Sequence, residues 1–323
     1  MARAALQRLL GALAVMFGIS VLVFALFFAT PGADPAARIA GRGASMETLA
    51  QVRREFGLDR SLPVQYAILM RRLFVAQDLA SYANRGQLVV PAVLRAAPVS
   101  LSLVTGAAVF WVAGGLGLGL LAASAPSRAV DRLVAGLGLL GASVPLFWLG
   151  EVVNLLTQSR LHGTILFAWV PPLGYRPLLE DPAGWFKALL IPWLTLASLY
   201  AGLYGRLLRA SLAEAYREDY IRTARAKGLS ERRVLLRHAL RNSLVPFVSL
   251  FGLDFGALVG GGALLTEVVF GLHGVGKLTY DAMRNLDLPV IMATVLYAAF
   301  FVVAANLAVD LAYAALDPRV RRA

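Results

Sequence analysis

The sequence contains no cysteine, only three histidines (His162, His238 and His273) and only 15% charged residues. Without cysteine there is neither a disulfide framework nor thiolate metal ligation, and three scattered histidines are poor material for a metal site. The shortage of charge accompanies 59% hydrophobic residues over 323 positions, far from the balance of soluble domains, in which about a quarter of residues are charged. Such a chain is solvated by lipid. Acids are scarcer than bases, 19 against 31, for a net charge of +12. In a membrane protein that excess reflects basic cytoplasmic loops before it reflects nucleic acid. There is also no HExxH, no GxSxG and no pair of intramembrane acids at helical spacing, so the expectation is that the chain is not an enzyme.

What is present is a series of long apolar runs. A span needs about 20 apolar residues to cross roughly 30 Å of hydrocarbon, and six segments meet or approach that: about 9–29, 99–125, 133–157, 188–208, 242–266 and 288–310. The expected fold is an all-α membrane protein of about six transmembrane helices, with an extracytoplasmic layer after the first span. Its parts are residues 1–94 (first span and extracytoplasmic segment), 95–316 (main transmembrane domain) and 317–323 (cytoplasmic tail). The first run follows Arg3 and Arg8 and exceeds a secretory h-region in length, so it reads as an uncleaved anchor. With Arg3 and Arg8 inside, both termini are cytoplasmic. Seventeen Lys and Arg residues then fall inside and five in the two short outer loops, the other nine lying between Arg38 and Arg95. That bias supports the orientation, because the rule weakens only for loops beyond about 60 residues. Helices are expected at 46–56 and 64–74 in the outer segment.

Two motif matches fail on context. Gly136 to Gly141 spells GxGxxG inside an apolar span, without the strand and the ribose-binding acid that such a site needs. Gly271 to Leu278, GLHGVGKL, nearly spells a phosphate-binding loop, but Leu278 stands where a Ser or Thr would hold magnesium. Small-xxx-small pairs such as Gly115 with Gly119, Gly252 with Gly256 and Gly256 with Gly260 read as close helix packing in lipid. The membrane-level acids are Glu151, Asp254, Glu267 and Asp310. Glu151, Glu267 and Asp310 lie at span ends, within reach of headgroups or water. Asp254 falls in mid-span, where it faces a polar path or pairs with another helix. Asp254, Glu267 and Glu151 are the candidates for translocation or gating.

One segment differs in character. From Arg206 to Arg241 there are 10 basic and 4 acidic residues. Residues 208–226 consist of strong helix formers, Gly228 supplies the freedom to end that helix, and Ser230 is a good N-cap for a second one starting at Glu231. Ile221, Ala224, Leu229, Val234, Leu235 and Ala239 add apolar positions that read as a contact surface. Interleaved aromatics are lacking, which argues against nucleic acid.

The core of this segment, DYIRTARAKGL (Asp219 to Leu229), with Arg206, Arg209, Ser211 and Glu214 before it and RHALRN after it, resembles the cytoplasmic EAA loop of binding-protein-dependent ABC importer permeases. It is most similar to the dipeptide and oligopeptide branch. The general motif has a Pro 13 residues after the Gly; this chain has Arg241 there and Pro246 five later, as in the peptide branch. The likeness extends to RLLGALAVMFGISVLVFALFFATPGADP at the N-terminus, FGLDRSLPVQY, SVPLFWLG, PPLGYRP and the stretch Glu267, Phe270, Gly274, Gly276 and Asp287-Leu-Pro289. Departures are Ala33 inserted before Asp34, His273 in place of a Pro, and AQDLAS (Ala76 to Ser81), where the branch tends to have GDLGxS.

The resemblance implies a permease subunit of an ATP-driven importer in a bacterial inner membrane, forming half of a path for di- or oligopeptides. Glutathione, nickel or oligosaccharides are alternative cargoes; a secondary carrier or a scaffold fits less well. It implies a coupling helix between spans four and five, carried by Glu214, Asp219, Tyr220, Arg222, Thr223, Ala224, Arg225, Ala226, Lys227, Gly228, Leu229 and Arg232. It further implies a homologous second permease, two ATP-binding subunits that hold the ATP and magnesium, an extracytoplasmic substrate-binding protein, and no cofactor on this chain.

Overall fold

Helix formers dominate the chain, and the computed structural model is mostly helical over the residues it describes, namely 2–28, 36–37, 45–55, 57–84, 86–124, 132, 134, 136, 138–139 and 143–316. The main helices are α1 (Ala2–Phe28), α2 (Met46–Glu55), α3 (Leu62–Arg71), α4 (Val89–Ser124), α5 (Leu146–Asn154), α6 (Pro182–Ala215) and α7 (Asp219–Ala226). They are followed by α8 (Glu231–Gly262), α9 (Leu264–Val269), α10 (Val275–Arg284) and α11 (Leu288–Leu316). Among the described residues the one β feature is a bridge between Ala80 and Leu88.

Four helices are long and apolar enough to cross a membrane, α4, α6, α8 and α11, and α1 contains a shorter apolar run at Leu10–Leu26. At 1.5 Å per residue, α4, with 36 residues, extends about 54 Å and outruns the hydrocarbon. Much of the expected third span lies outside the described residues; what is seen of it is α5 and a π-helical turn at Leu155–Arg160. The expected helices of the outer segment are present as α2 and α3, the latter continued by a π-helical turn at Arg72–Ala76. Two further π-helical turns, Val234–Ala239 and Leu258–Gly262, interrupt α8. Gly261 there adopts φ 116°, open only to glycine.

The chain divides into two compact units. One comprises Met1–Ser100, Val259–Leu264 and His273–Val303. Its core gathers Phe24, Leu69, Leu73, Leu79, Val93, Ile291 and Leu296 among others. Here FGLDRSLPVQY explains itself. Gly57 turns the chain at φ 64°, and the Gln65 amide donates to the carbonyls of Leu58 and Arg60 at 3.2 and 2.8 Å. Tyr66 meets Ser20 of α1 at 2.6 Å and Phe24 edge-on at 5.4 Å. The divergent AQDLAS segment also finds its partner: buried Asp287 accepts from the Ser81 hydroxyl and from the Tyr82 and Ala83 amides. A buried carboxylate is tolerable when it is hydrogen-bonded in this way.

The second unit comprises Leu101–Leu258, Leu265–Leu272 and Ala304–Ala323. Its centre is the contact of α4 with α6, made through glycines. A β-carbon on Gly115 would lie 2.7 Å from Tyr204, one on Gly119 2.8 Å from Leu208, and one on Gly205 2.8 Å from Leu118. The Trp193 indole fills the space over Gly106 and donates to the Ser102 carbonyl at 2.9 Å. Asp181 caps α6 by accepting from the Gly184 amide at 2.8 Å. That amide, with Arg176, holds its carboxyl below the usual range.

Gly115→Leu forces α4 off α6 and is expected to cost about 1–3 kcal/mol, seen as a lower midpoint in thermal unfolding followed by circular dichroism in detergent. Gly117→Leu, at a position with nothing within 4 Å, leaves the midpoint no lower.

Candidate functional site

The basic segment between α6 and α8 folds on itself. The expected single helix over 208–226 is two helices: α6 ends at Ala215, and α7 begins at Asp219 after a turn at 216–218. The break lets the chain leave the axis of α6. Gly228 then adopts φ 75°, the left-handed geometry that glycine enters without steric cost. Ser230 precedes the next helix as expected, with extended backbone, but its hydroxyl makes no capping bond.

The apolar residues of this segment are not a contact surface. Ile221, Ala224, Val234, Leu235 and Ala239 are all buried, and α7 packs on the Val234–Ala239 turn. Once buried they hold the short α7 in place, because eight residues are too few for a stable free helix. What faces outward is Asp219, Arg222, Thr223, Arg225, Ala226, Lys227, Gly228 and Arg232. Tyr220 and Leu229 are half-buried, and Glu214 is exposed on the last turn of α6.

An ion pair ties the two sides of the turn. Arg225 donates through Nε to Glu231 Oε1 at 2.8 Å and through Nη2 to Oε2 at 3.0 Å, the fork geometry that makes arginine–carboxylate pairs specific. The same guanidinium lies 5.3 Å over the Tyr216 ring. Residues 216, 225 and 231 thus close a staple around Gly228. The hydrogen bond from Arg225 lowers the Glu231 pKa. On the outer face, Arg222 pairs with Asp219 at 3.1 Å.

The membrane-level acids have different surroundings. Asp254 pairs with another helix, accepting from the Tyr204 hydroxyl of α6 at 2.7 Å. Aromatic rings surround this pair: Trp111 stacks on Tyr200 at 4.7 Å and lies 5.2 Å from Phe251, while Phe247 meets Tyr204 edge-on at 4.9 Å. Tyr200 and Tyr204 recur at helical spacing, a signal available in the sequence once Asp254 is taken as the centre. Glu151 is exposed, as a span end allows. Glu267 departs from expectation, being fully buried instead of reaching water. It sits on α9 ahead of the turn that Gly271 makes at φ 64°. The side chain of Asp310 lies outside the described residues.

GLHGVGKL is preceded by α9, not by a strand, and the Val275 amide at the start of α10 is taken by the Ser100 hydroxyl at 2.8 Å. It is not built as a phosphate cradle.

Breaking the staple by Glu231→Gln is expected to lower the amide exchange protection of residues 219–226 at neutral pH. In the unchanged protein the Glu231 pKa is depressed, so the pair is intact at neutral pH and its contribution is lost as pH falls through that lowered value. Protection factors followed by exchange and mass spectrometry across that acid range check both statements.

Comparison with known proteins gives matches along almost the whole chain. Residues 115–322 match the family of binding-protein-dependent transport system inner membrane components, and residues 1–103 match the N-terminal region of such membrane components. A protein of Brucella abortus (strain 2308) named as a peptide transport system permease is 39% identical over 316 residues, 98% of each chain. One of Sinorhizobium fredii named as a peptide ABC transporter permease is 36% identical over 317 residues, again 98% of each. The glutathione transport system permease protein GsiC of Salmonella typhimurium is 35% identical over 316 residues and 98% of each.

Proposed function

The chain belongs to the family of binding-protein-dependent transport system inner membrane components, and we propose that it carries di- or oligopeptides inward as one of two homologous permeases driven by ATP-binding subunits. It is a multi-pass membrane permease. Six spans with both termini in the cytoplasm put the α7 turn on the cytoplasmic side. The observation that carries the reading is that turn. It is a short, self-supported helix ending at Gly228, its apolar side spent on its own unit and its outer face offering Arg222, Thr223, Arg225, Ala226 and Lys227. A segment built so is a rigid plug for a groove on a partner. The resemblance to the EAA loop supports an ATPase subunit as that partner, with ATP and magnesium held there and not on this chain.

In this reading ATP binding draws the two ATPase subunits together. Each pulls a coupling helix, and the bundle rocks from inward-open to outward-open; hydrolysis and release reset it. The nucleotide acts as a ligand that favours one of two states. The outer segments 34–95, 171–187 and 271–287 receive the binding protein that delivers substrate. Peptide is favoured over the other cargoes of the branch by the names of the Brucella and Sinorhizobium relatives. Glutathione, itself a tripeptide, stands as a second reading through GsiC.

Gly228→Pro demands φ near −65° where the chain needs 75°. The expected result in proteoliposomes is normal membrane insertion with ATP hydrolysis no longer producing peptide uptake; normal ATP-driven uptake overturns the coupling assignment. Charge reversal at exposed Arg54 and Arg71 is expected to raise the binding-protein concentration needed for half-maximal uptake, an effect that shrinks with added salt.

A further inference from the structure

We propose that the Asp254 carboxylate and the rings around it form the receiving site for the α-ammonium group of the transported peptide, an inference that rests on the peptide reading above. Asp254 accepts one hydrogen bond, from Tyr204, and an ionised carboxylate has about four acceptor positions. No Lys, Arg or His among the described residues pairs with it. It is partly exposed, as are Tyr200, Phe251 and Phe255. Phe251, Asp254 and Phe255 stand at i, i+3 and i+4 on α8 and so share a face. Phe251 and Phe255 stack at 5.5 Å, and Phe251 leads at 5.2 Å to buried Trp111. One carboxyl group is thus set into a rim of aromatic faces at membrane depth.

Such a rim selects its ligand. An unpaired carboxylate in hydrocarbon is costly, so a cation that reaches it is favoured over a neutral or anionic group, and aromatic faces favour the same cation. A divalent metal is a poor fit, because the described residues offer no cluster of three acidic, histidine or cysteine ligands. A guanidinium carries five donors, more than the acceptor positions that Asp254 has left beside Tyr204. A primary ammonium needs one open oxygen and a ring face. It is also the cation that free peptides share whatever their side chains, an N-terminal proline apart.

The test uses the complete nucleotide-free importer in detergent, titrated with L-alanyl-L-alanine, N-acetyl-L-alanyl-L-alanine and n-butylammonium, with tryptophan emission as the readout and Trp111→Phe to locate the signal. Alanylalanine and butylammonium are expected to give saturable changes, and the acetylated peptide to bind about tenfold or more weakly. Asp254→Asn keeps an acceptor for Tyr204 and is expected to lose about tenfold in affinity for both cations, while Asp254→Glu retains them. Equal binding of the acetylated peptide, or wild-type affinity in Asp254→Asn, overturns the site. Asp254-dependent butylammonium binding in an importer whose cells take up no labelled peptide upholds the site and removes the peptide reading. Normal peptide uptake with an unchanged concentration dependence in Asp254→Asn removes the site alone.

Discussion

Close approach between α4 and α6 is the constraint on which the larger unit depends. In hydrocarbon two apolar helices gain little from leaving lipid for each other, so association rests on packing and on the few polar contacts made between them. Gly115, Gly119 and Gly205 remove the side chains that would hold the axes apart, and Tyr204 and Leu208 occupy the space they leave. Because Tyr204 is seated against Gly115, its hydroxyl is fixed where Asp254 of α8 can use it. The packing of the bundle and the placement of its mid-span acid are one arrangement.

The turn between α6 and α8 solves a different problem. A helix of eight residues has no stability of its own, yet α7 holds its shape. Stiffness comes from the turns around it: Ile221 and Ala224 are buried, Arg225 is clasped by Glu231, and Tyr216 lies against the guanidinium. Of the outward-facing residues, Arg225 thus belongs to the staple, while Thr223, Ala226 and Lys227 lie exposed beside it.

The parts of this arrangement that are local in sequence were legible there. Apolar runs foretold the long helices, the positive φ of Gly228 follows from its place between helix formers and Ser230, and the outer helices fell within two residues of their ends. What depends on contacts between distant residues was not legible. The apolar positions of the basic segment looked like a surface because burial by residues 234–239 has no local signature. The break at 216–218 was hidden because propensity there favours continuing the helix. The position of Glu267 at a span end puts it within reach of headgroups or water, yet the fold encloses it. The burial of Asp287 has no local sign, because its partners Ser81, Tyr82 and Ala83 stand more than 200 residues away.

That last separation bears on how the protein is made. Ser81 and Asp287 are 206 residues apart, and ribosomes emit roughly 5–20 residues per second, so the loop at 81–84 waits about 10–40 s for the carboxylate that fixes it. Its final shape is therefore a late event of biogenesis, completed only when the residues leading into the last apolar helix have been synthesised. A nascent chain truncated before Asp287 carries that loop without its anchor.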